Sequence, residues 1–302
     1  MIKIAYCDIY AHPLPEGHRF PMLKYELIPL QLLHIGKILP EQLFCPAPAA
    51  EQVIVATHNQ HYWEQLRDLT LPYKEQRRIG FPLTAQLVER EIRIVQGTID
   101  GALHAIANGI AFNVAGGTHH AGSNWGEGFC LLNDQAIAAK YLLNKGICER
   151  ILIIDLDVHQ GNGTAEIFYD EPRVFTFSMH GDKNFPFRKE KSDLDLPLDN
   201  GITGETYLKL LRAQLPTLVK SFQPDFVFYL AGVDVLSSDK LGKLKLSKSD
   251  TAERDRIVFE LCKAHNLPVQ VSMGGGYSAD IRDIVDAHCN TFIAGFDIFE
   301  QL

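Results

Sequence analysis

Two carboxylates and one imidazole follow a short apolar run at every second position. In ILIIDLDVHQGNG, residues 151–163, Asp155, Asp157 and His159 come after four apolar residues. Positions i and i+2 of a strand point to the same side, so Asp157 and His159 can reach one ion. Carboxylate oxygen and imidazole nitrogen are ligands of Zn²⁺ and Fe²⁺. Taken alone, the pattern is equally typical of a helix-capping turn that carries a surface histidine.

Residues that could take part in catalysis or metal binding also follow three other apolar runs. His119 and His120 come after AFNVAGG, Asp234 comes after DFVFYLAG, and Tyr277 comes after PVQVSM and three glycines. In open parallel sheets, ligands bind beyond the carboxyl ends of the strands. We therefore expect these side chains to meet at one edge of a sheet.

Asp234 is the candidate third ligand beside Asp157 and His159. Two carboxylates and one imidazole suit Zn²⁺ or Fe²⁺, and three protein ligands leave positions for water and a substrate oxygen. Because Asp234 and the two histidines also follow predicted strands, a metal site is favoured over a simple helix cap. The sequence thus predicts a catalytic metal site.

The paired histidines and the tyrosine have separate expected roles. His119 and His120 are adjacent, so they point in different directions and should have different partners; one can act as a base while the other tunes the local charge. A solvated loop pair is the alternative. Tyr277 can donate its hydroxyl to a developing oxyanion, because glycines bring the chain close to a ligand. A tyrosine that only caps a turn is its alternative.

The segments between these residues alternate between strand and helix patterns. Near-continuous apolar runs are typical of strands buried on both faces, and their alternation with helices favours a mostly parallel sheet with helices on both sides. We predict one α/β domain over residues 1–302, with residues 181–200 as the longest loop. The predicted strands are IKIAY, VIVAT (53–57), AFNVAGG (111–117), ILIID, VFTFS (174–178), DFVFYLAG (225–232), PVQVSMGGG (268–276) and TFIAGF (291–296). The predicted helices cover about 22–39, 59–68, 84–107, 134–143, 203–220 and 249–265.

Composition limits the classes of function. The chain has 302 residues, of which 46% are apolar, and a net charge of −8, which disfavours a general grip on nucleic acid. The start is too short and too soon interrupted for a signal peptide, and no run is long enough for a membrane span. The six cysteines lack a CxxC pair, so we expect reduced core thiols and a cytoplasmic protein.

Four segments together resemble the arginase–deacetylase superfamily, and within it the zinc-dependent histone deacetylases. They are GGTHHAGSNWGEGFCLLND (116–134), ILIIDLDVHQGNGTAEIF (151–168), FYLAGVDVLSSDKLGKLKLS (228–247) and SMGGGYS (272–278). The chain looks most like class IV histone deacetylases and their bacterial relatives. Three stretches carry this finer resemblance: HRFPMLKY (18–25), DKLGKLKLS and HQGNG. The resemblance implies a single α/β domain around a mostly parallel eight-stranded sheet flanked by helices, the arginase–deacetylase fold.

The resemblance also implies roles for individual residues. The metal ligands are Asp157, His159 and Asp234, and the catalytic residues are His119, His120 and Tyr277. The substrate channel is lined by Gly128, Phe129 and Gly275. Asp155 supports His119, and a structural K⁺ or Na⁺ lies at Asp155, Asp157, His159, Ser178 and Met179.

Asn162 matches the partner of His120. The class I deacetylases have an aspartate there, whereas this chain has the neutral amide found in classes II and IV. A carboxylate favours imidazolium, and an amide does so much less. We therefore predict that His120 is largely neutral at pH 7 and acts as the base.

The implied activity is metal-dependent hydrolysis of acetyl or longer acyl groups from lysine side chains of proteins, with Zn²⁺, or alternatively Fe²⁺, as cofactor. The first alternative substrate is a small acylated amine such as an acetylpolyamine. A ureohydrolase with two manganese ions is more remote, because it needs a DxHxD pattern where this chain has DxDxH. A catalytically silent module that binds acyl-lysine is equally remote. No oligomeric state follows from the sequence.

Overall fold

The strands form one sheet in which every neighbouring pair is parallel. The computed structural model describes residues 1–300, and within them the strand order is β2-β1-β3-β8-β7-β4-β5-β6. The strands are β1 (Ile4–Ala5), β2 (Leu43–Phe44), β3 (Ile110–Asn113), β4 (Ile151–Asp155), β5 (Val174–Gly181), β6 (Leu194–Leu198), β7 (Phe226–Leu230) and β8 (Val269–Ser272). The predicted α/β class with eight parallel strands is confirmed. The last two residues of the predicted 1–302 domain lie outside the described range.

Helices flank this sheet and connect its strands. They are α1 (Lys24–His34), α2 (Glu51–Val55), α3 (Gln60–Arg67), α4 (Tyr73–Ile79), α5 (Ala85–Asn108), α6 (Asp134–Asn144), α7 (Asn162–Ile167), α8 (Gly204–Phe222), α9 (Lys248–Ala264) and α10 (Ile281–Phe299). Thr84, Asn133 and Ser247 each accept a backbone hydrogen bond as the N-cap of α5, α6 and α9. The sequence therefore sets these helix starts locally.

The central strands are apolar because both of their faces are covered. Every residue of β3, β4, β7 and β8 is buried, which explains their continuous apolar sequences. The four strands are neighbours in the order β3-β8-β7-β4. Their carboxyl ends therefore open onto one edge, where the sequence places its chemically active residues.

Two predicted strands are helices. VIVAT lies in α2 and the residues after it, although its β-branched residues favour a strand. TFIAGF lies inside α10, where Phe292 and Phe296 stack on Phe112 of β3 with ring centroids 4.6 and 6.0 Å apart. A short apolar run reads the same in a buried strand and a buried helix, and packing decides between them.

Two strands lie where none was predicted. β2 has only two residues at one edge of the sheet, and β6 lies at the other edge inside the predicted loop 181–200. β6 contains Pro197, which an edge strand tolerates because no neighbour needs its missing N–H. Edge strands are partly exposed, so neither segment has the continuous apolar sequence of the central strands.

The expectation of six reduced thiols is wrong for one pair. Cys7 and Cys45 form a disulfide, with Cα atoms 4.6 Å apart and a sequence separation of 38 residues. They follow the adjacent strands β1 and β2, so the sheet brings them together. The other cysteines are free and buried: Cys130, Cys148, Cys262 and Cys289. The cytoplasmic prediction loses the support it drew from reduced thiols. Among residues 1–300, no helix combines the length and apolar character of a membrane span.

Candidate active site

Two neighbouring strand ends, those of β7 and β4, bring the predicted ligand residues together. Asp157 and His159 follow β4, and Asp234 follows β7; all three are buried. One ligand atom from each lies within 4.8 Å of the other two. The Nδ1 of His159 is 2.9 Å from Oδ1 of Asp157 and 3.1 Å from Oδ2 of Asp234. The geometry therefore matches one shared ion.

The charges of these three residues fit a bound cation. Oδ2 of Asp234 is buried and accepts no hydrogen bond from the described residues. Burial and the charge of Asp157 raise the pKa of Asp234 to about 7. Burial alone lowers the pKa of His159, but the adjacent carboxylates of Asp157 and Asp234 raise it to about 10. The pocket thus favours positive charge, which a divalent cation supplies.

Gly275 lies against the ligand carboxylates. Its N–H donates to Oδ2 of Asp157 at 2.9 Å. A Cβ at this position would be 1.9 Å from Oδ2 of Asp234 and 2.8 Å from Oδ2 of Asp157. The absence of a side chain is therefore required here. The resemblance assigns Gly275 to the substrate channel, and the structure places it beside the carboxylates of the candidate ligands.

The adjacent histidines have different partners and opposite charge preferences. The Nδ1 of His119 donates to Oδ2 of Asp155 at 2.7 Å, and the Nδ1 of His120 donates to Oδ1 of Asn162 at 2.7 Å. Burial alone lowers the pKa of His119, but Asp155 and Asp157 outweigh it and raise that pKa. Burial, followed by the charges of His119 and His159, holds the pKa of His120 well below its usual range. This supports the predicted neutral state of His120.

Asn162 is oriented by a residue that the sequence did not single out. Its amide nitrogen donates to Oε1 of Glu127 at 2.6 Å, and Oε2 of Glu127 accepts from Nε of Arg78 at 2.6 Å. The amide oxygen of Asn162 consequently faces His120 and needs a donor there. Nδ1 of His120 must carry the proton, and its Nε2 has a free lone pair when the ring is neutral.

Asp155 supports both the histidine and the ligand loop. Its Oδ1 accepts from the N–H of Asp157 at 3.1 Å, while Oδ2 binds His119. Ser178 is its register partner on β5, and Met179 follows. The residues predicted to bind a monovalent cation are thus close in the sheet, and the cation itself stays a prediction.

A cavity of about 400 Å³ leads from the surface to this site. Gly128 and Phe129, the residues that the resemblance assigns to a substrate channel, line it together with His120, His159 and Tyr277. Phe129 has φ of 69° and stands 5.9 Å from the Tyr277 ring, centroid to centroid. Burial and the charges of Asp234 and Asp157 keep the pKa of Tyr277 well above its usual range. Its hydroxyl therefore remains a hydrogen-bond donor.

Three further residues shape the site without a recognisable sequence signal. Lys24 is completely buried and donates to the carbonyl of Gly274 at 3.0 Å. Phe185 packs edge-on against His120 with centroids 4.9 Å apart. Asp239 accepts from the N–H of Tyr277 at 2.6 Å. Lys24 falls in HRFPMLKY, which suggested a subclass but no role, and Phe185 falls in the predicted loop.

A family model matches most of the chain. The histone deacetylase domain covers residues 18–292. The chain belongs to the histone deacetylase family. The strand ends described above all lie inside the matched range. As a member, it is a hydrolase of the deacetylase type, in the arginase–deacetylase superfamily.

Relatives of this histone deacetylase-like chain occur in bacteria and plants. An uncharacterized protein of Picosynechococcus is 45% identical over 98% of this chain and 99% of its own length. Histone deacetylase 2 of Arabidopsis thaliana is 30% identical over 93% of this chain and 75% of its own length. The similarity to both extends over nearly the whole chain.

Solved structures agree with the fold. A histone deacetylase homologue from Aquifex aeolicus has a TM-score of 0.84 at 24% identity, covering 100% of this chain and 84% of that chain. A histone deacetylase homologue complexed with SAHA has a TM-score of 0.83 at 26% identity, with the same coverage. The roles of individual site residues in this chain stay predictions.

Proposed function

We propose that this chain removes acetyl or longer acyl groups from lysine side chains of proteins, as class IV histone deacetylases and their bacterial relatives are expected to do. One observation carries the proposal. The three candidate ligands cluster together, and one of them, His159, lines the 400 Å³ cavity beside His120, the histidine with a free Nε2. A long aliphatic amide substrate can reach them from the surface through that cavity.

Asp157, His159 and Asp234 would hold the cofactor. Two carboxylates and one imidazole suit Zn²⁺, with Fe²⁺ as the alternative. When bound, such an ion polarises the substrate carbonyl and makes a water molecule more acidic. The remaining chemistry belongs to side chains of this protein.

His120 acts as the base and then as the acid. Its neutral Nε2 takes a proton from the attacking water, because Nδ1 is already protonated and faces Asn162. The protonated ring then delivers a proton to the leaving lysine amine. His119 stays close to Asp155 and mainly sets the local charge. The products are a carboxylate and a free lysine.

Tyr277 stabilises the negative charge that develops on the carbonyl oxygen. Its hydroxyl stays protonated, and its backbone is fixed by Asp239. A preorganised donor of this kind contributes most in a site from which water is excluded. Phe129 and Phe185 supply apolar walls to the cavity.

A ureohydrolase activity receives no support from the site. Within residues 1–300, metal-ligating side chains cluster in one group, Asp157, His159 and Asp234. A two-manganese centre would need additional carboxylates next to that group.

An acyl-chain series tests the proposal. Peptides carrying one lysine with acetyl to myristoyl groups would be incubated with metal-stripped protein and with protein reloaded with Zn²⁺ or Fe²⁺. We expect metal-dependent release of at least one acyl group. Acetylpolyamines serve as the competing substrate, and a higher kcat/KM for them than for every peptide would replace protein lysine as the substrate. Failure to release any acyl group from either class, with metal bound, would refute the proposal.

A further inference from the structure

The mouth of the cavity is positively charged although the protein is not. Five cationic side chains line the 400 Å³ cavity, and all five are exposed: Arg19, Arg77, Arg78, Lys183 and Lys243. The whole chain has a net charge of −8. Glu127 is the sole carboxylate among the residues lining this cavity, and it is buried.

Two of the five cations are already neutralised. Nε of Arg78 is 2.6 Å from Glu127, and Nζ of Lys183 is 2.6 Å from Asp182. Both interactions occupy the cation with a carboxylate of the protein itself.

The other three cations have no carboxylate partner within residues 1–300. Arg19 lies over the Phe129 ring at 5.1 Å, and Nζ of Lys243 donates to the carbonyl of Lys183 at 2.6 Å. Arg77 lies on α4. The three come from separate segments, and all three line the cavity with exposed side chains, so a ligand entering the cavity meets them.

We propose that these three cations, Arg19, Arg77 and Lys243, select peptides in which acidic residues flank the acylated lysine. The inference rests on the proposed lysine deacylase function. An acylated lysine is neutral, so it enters the apolar cavity without charge, while the flanking residues remain at the mouth. Complementary charge there increases encounter and suppresses wrong partners. Basic tails and cationic polyamines meet like charge at the same place.

The arrangement favours a peptide over a nucleic acid. Phe185 and the 89% exposed Phe187 line the same cavity as the cations, and the cavity continues inward to His159 of the candidate metal site. Nucleic-acid binding draws on a continuous basic stripe, and a net charge of −8 opposes it.

Matched peptides provide the experiment. One acyl-lysine peptide would be made with acidic, glutamine or arginine flanks, and both kcat/KM and binding by fluorescence anisotropy would be measured with the metal-loaded protein. At low salt we expect kcat/KM and binding affinity to be about fivefold higher for the acidic peptide than for the glutamine peptide. The difference from the arginine peptide should be larger still. The preference should shrink toward unity at ~1 M salt, where the Debye length is about 3 Å.

Variants locate the effect. Replacing Arg19, Arg77 and Lys243 together by glutamine should abolish the acidic preference. A control that makes the same charge change at the exposed Lys209, Lys220 and Lys263, none of which lines the cavity, should keep it. Thermal unfolding would show that both triple variants are folded.

The outcomes separate the inference from the proposed function. Turnover without charge preference, or a preference that survives the triple variant at the mouth, would overturn the inference alone. If the protein binds the acidic peptide most tightly but turns over none of the peptides, the result would support peptide selection by the three cations and refute the deacylase function. A labelled single-stranded RNA that binds more tightly than the acidic peptide, and loses binding in the same variant, would overturn the assignment to a peptide.

Discussion

Glu127 accepts a hydrogen bond from the amide nitrogen of Asn162 at 2.6 Å, and this contact decides which nitrogen of His120 carries a proton. Without Glu127, the Asn162 amide could rotate and present its nitrogen to His120, which would then have to accept at Nδ1. The base would lose its free Nε2. Glu127 therefore matters to the proposed chemistry, although it acts on His120 only through Asn162.

Glu127→Gln should lower kcat about tenfold, within the ~10–100-fold range seen when outer partners of a site are changed. Gln retains the size of the side chain but can turn a donor toward Asn162. The measurement is kcat on an acyl-lysine peptide, with Glu41→Gln as a control at an exposed carboxylate. A kcat within twofold of wild type would show that Asn162 keeps its orientation without Glu127.

Asn162→Asp should move the acidic limb of the pH profile of kcat/KM to higher pH. His120 must be neutral to accept a proton, and its pKa is depressed in the native site by burial and by the neighbouring histidines. A carboxylate at position 162 would stabilise the imidazolium and raise this pKa. Activity would then be lost at a higher pH as the pH falls. An unmoved limb would remove His120 from the role of base.

Lys24→Met should reduce kcat and also change the pH dependence of stability. Lys24 holds the carbonyl of Gly274, two residues after Ser272 and one before Gly275. Burial lowers the pKa of Lys24 to about 8. In the unfolded chain that pKa is near 10.4, so between these values the unfolded state binds more protons. The free energy of unfolding therefore rises with pH from about 8 to 10.4.

The methionine variant lacks this titration. The difference in unfolding free energy between wild type and Lys24→Met should thus shift in favour of wild type by as much as about 3 kcal/mol across that window. Chemical denaturation at a series of pH values measures it, and the exposed Lys209→Met serves as control. A constant difference would mean that Lys24 titrates in the folded protein as it does in the unfolded one.

Much of the site was predictable from sequence because parallel strands place their carboxyl ends at one edge. Asp157, His159, Asp234 and His120 follow fully buried strands, whose apolar runs are easy to recognise. Glu127 and Lys24 were not predictable, since each acts through a contact across the fold: Glu127 with Asn162, and Lys24 with Gly274, 250 residues away. The local sequence pattern around a residue does not indicate a partner that lies far away along the chain.

The errors in the fold have a related cause. TFIAGF is apolar enough for a strand, but it lies inside the long helix α10, where Phe292 and Phe296 stack on Phe112 across the fold. β6 is partly exposed at an edge, so its sequence resembles a loop. Cys7 and Cys45 are adjacent only because β1 and β2 pair.

Tyr277→Phe should lower kcat by ~10²-fold or more while leaving KM nearly unchanged, the effect of removing one oxyanion donor. The ring contact with Phe129 is retained by phenylalanine, which separates the hydroxyl from packing. Steady-state kinetics on an acyl-lysine peptide measures the change. A near-wild-type kcat would exclude Tyr277 from the mechanism.

Asp234→Asn should remove the bound metal while preserving the fold. The substitution keeps an oxygen that can accept from the N–H of Val158, a bond of 3.0 Å in the wild type. It removes the charge of the otherwise unpartnered Oδ2, on which the proposed ligand set depends. Elemental analysis should find about one Zn²⁺ or Fe²⁺ per wild-type chain and much less in the variant.

Because a ligand that binds only the folded state raises its stability, added Zn²⁺ should raise the Tm of metal-stripped wild type but not of Asp234→Asn. Asp286→Asn, at an exposed carboxylate on α10, is the matched control and should retain both the metal and the Tm increase. Full metal content in Asp234→Asn would show that Asp234 is not a ligand.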